Sequence, residues 1–347
     1  MPHLLIHKKR CLANLERMST KARSLNLDFR PHFKTHQSAD VGSWYRDFGV
    51  NKITVSSFDM ARYFSGQGWK DILVAFPFPA DGRSILDELS SRIRISILLD
   101  HPDALVYLEG LSDTVNFYID IDTGYGRSGI PAENPDAVEA LLNAAGKNPR
   151  LNFQGFYCHA GHSYKAANQQ EIETLHAKAM SDLSDLKQVF ASHGSLAIYG
   201  DTPSCSTRES FSGIDCLSPG NFIYYDLMQV ALGACTAEQV AVALKCPVCG
   251  IYPERGEIMI HGGGVHFSKE QLNIEGRIVY GQLLRSIPGG WDIPEQTIYL
   301  HSLSQEHGIL KAGAELMEQI RMGDRLLFLP VHSCLAANLM QQSSLVI

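Results

Sequence analysis

Short β-rich runs alternate with amphipathic helical stretches at a nearly regular step through most of the chain, and this alternation constrains the fold more than any other feature. ITVSS (53–57), DILVAFP (71–77), IRISILLD (93–100), VNFYIDID (115–122), LNFQGFYCHAG (151–161) and LAIYGDTPS (196–204) are such β-rich runs and read as buried strands. Between them, Asp59 to Gly66, Pro135 to Ala145 and Gln169 to Ser192 carry a helical period. Buried strands separated by helices predict a parallel sheet, and seven or eight such units in about 220 residues predict an α/β fold, a (β/α)8 TIM-like barrel. After about residue 235 the pattern changes to glycine-punctuated, strand-like pieces with little helix between them: QVAVALKCPVCGIY, EIMIHGG and RLLFLPVH. They predict a smaller, mainly-β domain. The expected division is 1–234 and 235–347, with the first few residues packing with the β domain and no linker or low-complexity tract at the seam.

Composition narrows the function. At 347 residues with 45% hydrophobic and 19% charged residues, the chain can bury a large core. A formal net charge of -7, and no basic cluster longer than His7-Lys8-Lys9-Arg10, argue against a nucleic-acid partner. MPHLLIHKKR lacks the apolar core of a signal peptide, and nowhere do eighteen apolar residues run together. The expectation is a soluble, cytoplasmic protein with no membrane partner, whose eight scattered cysteines are reduced thiols.

Lys34, in RPHFKTHQ (30–37), falls where a short extended segment ends and before a new helix starts. Barrel enzymes place their chemistry at such strand ends. A lysine amine there can form a Schiff base with a carbonyl compound, above all pyridoxal phosphate (PLP). The other notable polar motifs also follow predicted strands: DTGYGRSGI (122–130), YCHAGHSY (157–164), GDTPSCS (200–206) and LSPGNFIYYD (217–226). The glycines and hydroxyls of Gly200 to Ser204 and Pro219-Gly220-Asn221 suit a phosphate, which needs backbone N–H groups and close approach.

These motifs, with SQEHG (304–308) and PVHSC (330–334), resemble the fold-type III PLP enzymes, and within them the D-threonine aldolase and D-serine dehydratase group. The resemblance spans nearly the whole chain. It implies an alanine-racemase-like barrel followed by a β domain, and a homodimer. It also implies Lys34 as the Schiff-base lysine, Arg127 at the cofactor's phenolic oxygen, Tyr157 and His159 beside the ring, and Thr202, Gly220 and Asn221 at the phosphate.

His332 and Cys334 are one residue apart in LFLPVHSC, and in an extended segment their side chains share a face. Imidazole and thiolate are good zinc donors, and two protein ligands leave room for water and a substrate oxygen. The resemblance implies zinc at this His-x-Cys in D-serine and hydroxyaspartate dehydratases, whereas the aldolases use a carboxylate as second ligand. The expected activity is therefore a PLP- and zinc-dependent dehydratase of D-serine or another β-hydroxy-D-amino acid, giving a keto acid and ammonia. A metal-activated D-threonine aldolase and an amino-acid racemase are the alternatives. A racemase generally requires a second base, which the sequence does not identify. HGGGVHF (261–267) reads as a glycine-rich turn and Cys246-Pro-Val-Cys249 as an incidental CxxC, while His307 is a candidate neighbour of the metal.

Overall fold

The computed structural model describes residues 1–347. By its contacts the chain divides into two compact units, Glu16–Gly220 and Met1–Leu15 with Asn221–Ile347. The division falls at Gly220, earlier than the seam read from the sequence between 234 and 235.

In the first unit eight parallel strands pair in chain order: Asp28–Phe29, Ile53–Val55, Asp71–Pro77, Arg94–Leu99, Val115–Asp122, Leu151–Cys158, Leu196–Tyr199 and Cys216–Leu217. Cys216–Leu217 pairs with Asp28–Phe29, and a parallel bridge between His32 and Thr54 joins the first strand's extension to the second. The ring of strands is thereby closed, which leaves no sheet edge. Apolar side chains fill its interior, where Leu73, Leu98, Tyr118, Tyr157, Ile198 and Cys216 form one buried cluster. The intervening helices start where the sequence provides a side-chain cap. Ser57 accepts from the Met60 N–H, Asn134 from Ala137 and Asn168 from Glu171, opening Phe58–Gly66, Pro135–Ala145 and Gln169–Val189. Each cap satisfies a backbone donor that the helix itself cannot, worth about 1 kcal/mol.

The second unit is built on antiparallel pairing. Val242–Tyr252, Glu257–His261, His307–Lys311, Tyr299–Leu303, Gly281–Ile287 and Arg325–Pro330 pair successively, and Arg325–Pro330 returns to Val242–Tyr252, so six strands close on themselves. His3–Ile6 adds to this barrel antiparallel to Val242–Tyr252, and Ser344–Val346 adds parallel to His3–Ile6. Cys246 and Cys249 both lie within Val242–Tyr252. Cys249 falls at a bulge between Val248 and Gly250, and burial raises the pKa of both thiols.

Candidate active site

Phe33 anchors the segment that carries Lys34. Its fully buried ring packs against Tyr45, Phe64 and Trp69 at centroid distances of 4.8, 5.0 and 5.1 Å. The Phe33 N–H donates to the Thr54 carbonyl (2.8 Å), so Lys34 follows directly on the contact that closes the parallel barrel. The Lys34 N–H donates to His32 Nδ1 (3.3 Å), and Gln37 Nε2 donates to the Lys34 carbonyl (3.1 Å). This backbone is fixed from both sides.

His159 follows the strand Leu151–Cys158, and its Nδ1 is bonded to the Gly200 carbonyl. A carbonyl only accepts, so the proton of the neutral ring is on Nδ1 and Nε2 presents a lone pair. Burial, then the charges of Lys34 and Arg127, lower its pKa to about 3, and the ring is neutral at physiological pH. His32 is likewise driven well below its ordinary value by burial, Lys34, His159 and Arg127. The structure thus brings Lys34, Arg127, His159 and His32 into one electrostatic neighbourhood. Tyr157 belongs to the barrel's interior cluster, where burial and the charge of Asp120 keep its hydroxyl protonated. Asp120 itself is pushed up to about 6 by burial, against the hydrogen bond from Ser128 Oγ (2.8 Å).

Arg127 is presented by a loop folded around Asp122. That carboxylate accepts the N–H groups of Gly124 (2.9 Å), Tyr125 (2.7 Å) and Gly126 (2.9 Å). Gly129 closes the loop at φ +100°, where a Cβ would come within 2.9 Å of the Asp122 backbone nitrogen, so only glycine fits. The Arg127 guanidinium lies 5.1 Å over the Tyr125 ring. His162 stacks on the same ring at a centroid distance of 6.0 Å.

The residues read as phosphate contacts separate into different roles. Thr202 is buried, its amide donates to the Tyr164 hydroxyl (3.2 Å), and its own hydroxyl has no hydrogen-bond partner in the protein. The Ser204 hydroxyl, two residues on, instead lies against the buried Tyr199 and Asp201 side chains. An orphaned buried hydroxyl is rare and costly, and an anion with several acceptor oxygens would satisfy that of Thr202. Gly220 lies tight against the Lys34 segment, where a Cβ would stand 3.0 Å from the His32 carbonyl oxygen and 3.2 Å from Thr35 Oγ1. The donor set and the orphaned Thr202 hydroxyl fit PLP: an amine for its aldehyde, a guanidinium, a neutral imidazole and a hydroxyl for its phosphate. The side chain of Asn221 is engaged elsewhere.

That engagement is in the second unit. Asn221 Nδ2 lies 2.7 Å from Asp226 Oδ2, 3.0 Å from Ser333 Oγ and 3.4 Å from Cys334 Sγ. Asp226 has no exposed side-chain surface. Its Oδ2 also accepts the Ser333 N–H (2.9 Å), the Ser333 hydroxyl (3.2 Å) and His332 Nδ1 (3.2 Å). Burial opposes the Asp226 charge, but His332 and these donors outweigh it and hold the carboxyl below its usual range. For His332 the balance runs the other way. Burial alone would lower its pKa, yet the charge of Cys334 and the contact with Asp226 push it up to about 9.

His332 and Cys334 are brought together, though not by an extended segment. The strand Arg325–Pro330 has ended, His332 caps a helix in extended conformation, and Cys334 lies in the first turn of that helix, Ser333–Leu339. The physical reason is Asp226, which accepts the Ser333 N–H that a helix start leaves without a partner. The same carboxylate accepts a hydrogen bond from His332 Nδ1, which leaves Nε2 as the nitrogen that would bind a metal in exchange for its proton, the arrangement that orients histidines toward metals. The donor set therefore fits a divalent cation. Asp226 was not singled out from the sequence, although it ends the motif LSPGNFIYYD. Nothing in that motif says which distant histidine a buried aspartate will orient.

Known proteins share this architecture. The family model of the alanine racemase N-terminal domain matches residues 6–227, and that of the "Putative serine dehydratase domain" matches residues 241–346. The chain is 27% identical to D-serine dehydratase of Dictyostelium discoideum over 361 residues, covering 93% of this chain and 87% of that protein. It is 25% identical to D-threo-3-hydroxyaspartate dehydratase of Delftia sp. HT23, covering 96% and 90%. The solved structure of that enzyme superposes with a TM-score of 0.89 over 98% of this chain and 92% of that one, and the enzyme has also been solved as a mutant in the metal-free form. D-threonine aldolase from Filomicrobium marinum superposes with a TM-score of 0.83 at 18% identity, covering 98% and 89%.

Proposed function

The chain belongs to the alanine racemase N-terminal domain family, and from that premise we propose that it is a PLP- and zinc-dependent dehydratase of D-serine or a similar β-hydroxy-D-amino acid, producing a keto acid and ammonia. The observation that carries this reading is the pairing of Cys334 with a histidine whose Nδ1 is bonded to a buried carboxylate. A racemase would have no need of such a donor pair. Dehydration does, because hydroxide is a poor leaving group. The match of residues 241–346 to a serine dehydratase domain supports the same choice.

When bound, PLP supplies an electron sink for negative charge at Cα, and zinc supplies a Lewis acid for the departing β-hydroxyl. The chain's own groups do the rest. The amine of Lys34 would hold the cofactor by its aldehyde and would serve as the base that takes the proton from Cα. Arg127 places positive charge beside the ring, and His159, neutral with its proton fixed on Nδ1 by Gly200, packs there without adding charge. Thr202 would give its hydroxyl to the phosphate, to which Gly220 and Asn221 would offer backbone N–H groups. His332 Nε2 and Cys334 Sγ hold the zinc, and Asp226 keeps the imidazole aimed.

Supplying the purified protein with PLP and zinc, then D-serine and D-threonine in turn, tests the reading by its products. Keto acid and ammonia are expected from D-serine. Glycine and an aldehyde from D-threonine, with D-serine untouched, would replace dehydration with retro-aldol cleavage, the activity named for the structural relative from Filomicrobium marinum.

A further inference from the structure

We propose that His261, His266 and Glu306 form a second cation site in the antiparallel barrel, taking a divalent transition metal such as zinc, cobalt or nickel through two imidazoles and one carboxylate. None of these residues takes part in the proposed dehydration, and the site stands or falls independently of it. One ligand atom from each of the three side chains lies within 4.8 Å of the others. Glu306 Oε2 is 3.6 Å from His261 Nε2 and 4.0 Å from His266 Nε2, and the two imidazoles stand edge to face at 5.3 Å. Donors bound at about 2.1 Å to one zinc are separated by roughly 3.4 Å. Small side-chain movements would therefore complete the site.

The backbone holds the three residues ready. His261 ends the strand Glu257–His261, and after the glycine run His266 occupies the helical turn Gly264–Phe267. Glu306 comes from the turn before His307–Lys311. Between these loops the Gly262 N–H donates to the Glu306 carbonyl (2.9 Å), Gly264 to Ser304 (2.8 Å) and Val265 to Gln305 (3.2 Å). The loops approach so closely that a Cβ on Gly263 would stand 2.4 Å from the Gln305 carbonyl oxygen. The triplet of glycines in HGGGVHF permits that approach and sets the two histidines on either side of it.

The ligand class follows from the donors. Imidazole selects zinc, cobalt, nickel or copper over calcium and magnesium, which prefer oxygen. Glu306 and His261 are partly exposed, so water can reach the ion and fill its remaining positions. One contact limits the affinity: His266 Nδ1 accepts the Gly263 N–H (3.2 Å), which leaves the proton of the neutral ring on Nε2. A metal at Nε2 moves that proton to Nδ1 and breaks the bond, which weakens binding by roughly tenfold relative to a fully prepared site.

The test is metal stoichiometry on the full-length protein. Chelated protein is dialysed against excess zinc and its metal content measured for wild type, His261→Ala, Glu306→Gln and Cys334→Ala. His261→Ala should carry about one equivalent fewer than wild type and keep the wild-type activity on D-serine. Glu306→Gln, a milder change at a half-exposed position, should weaken the same equivalent at least tenfold in a zinc titration. Cys334→Ala should retain the equivalent that His261→Ala loses. Equal zinc content in wild type and both His261→Ala and Glu306→Gln, with each variant folded by circular dichroism, would overturn the proposal.

Discussion

At the scale of single residues, the account rests on what buried neighbours do to Lys34 and His332. Lys34 has a backbone held by His32 and Gln37 and follows a phenylalanine locked in an aromatic cluster. Borohydride should fix the cofactor to the peptide that contains Lys34, and Lys34→Ala should lose both that label and turnover. Label on another lysine would overturn the assignment. For the metal, Asp226→Asn replaces the acceptor of the His332 Nδ1 proton with an amide of the same size. Zinc affinity should fall about tenfold to a hundredfold, because an orienting partner is lost while both ligands remain. The visible absorbance of PLP should stay as in wild type. Equilibrium dialysis against zinc measures the first and a spectrum the second; unchanged zinc affinity would remove Asp226 from the site.

The elements show where the sequence was legible and where it was not. Six of the eight parallel strands stand out as β-rich runs, because a strand buried on both faces is dominated by branched and aromatic side chains. Asp28–Phe29 and Cys216–Leu217 are two residues long, too short for any period, and their place in the barrel comes from pairing with each other. Lys34 was legible because a lysine between two histidines at a strand end is unusual in itself. The turn at His332 was not, since it depends on a carboxylate 106 residues away in the chain. The same distance explains the seam: Asn221 and Asp226 bind the His332–Cys334 segment, which draws the stretch after Gly220 into the β unit. Gly220 tests the phosphate reading at this scale. Gly220→Val would press against the His32 carbonyl and Thr35, displacing backbone at the loop, so PLP should dissociate at least tenfold more readily while the fold persists. Unchanged PLP affinity would place the phosphate elsewhere.

For the molecule as a whole, the buried imidazoles set how stability depends on pH. His36 and His159 are held near 3 by burial, and His32 is also depressed. A histidine lowered on folding is neutral in the native state and takes up its proton in the unfolded one. Its stabilisation is complete above about pH 6.5 and is lost as the pH falls toward the native value, at up to about 1.4 kcal/mol per pH unit for each group. Asp120 and Asp201, raised by burial, and His332, raised to about 9, act in the opposite sense over part of this range, but His7, His162, His176 and His266 are lowered as well and keep the balance with the depressed imidazoles. Urea unfolding between pH 7 and pH 5 should therefore show falling stability, and His36→Gln should flatten the slope by about one proton. An unchanged slope in that variant would mean that His36 is charged in the native state.

The central claim, that a metal on His332 and Cys334 assists elimination while PLP on Lys34 stabilises charge at Cα, is tested most directly by chelation. Keto acid release from D-serine is followed in chelated and zinc-restored protein while the visible absorbance of the cofactor is recorded. Chelation should abolish release and leave the absorbance in place, and zinc should restore it. Full dehydratase activity in metal-free protein would contradict the account.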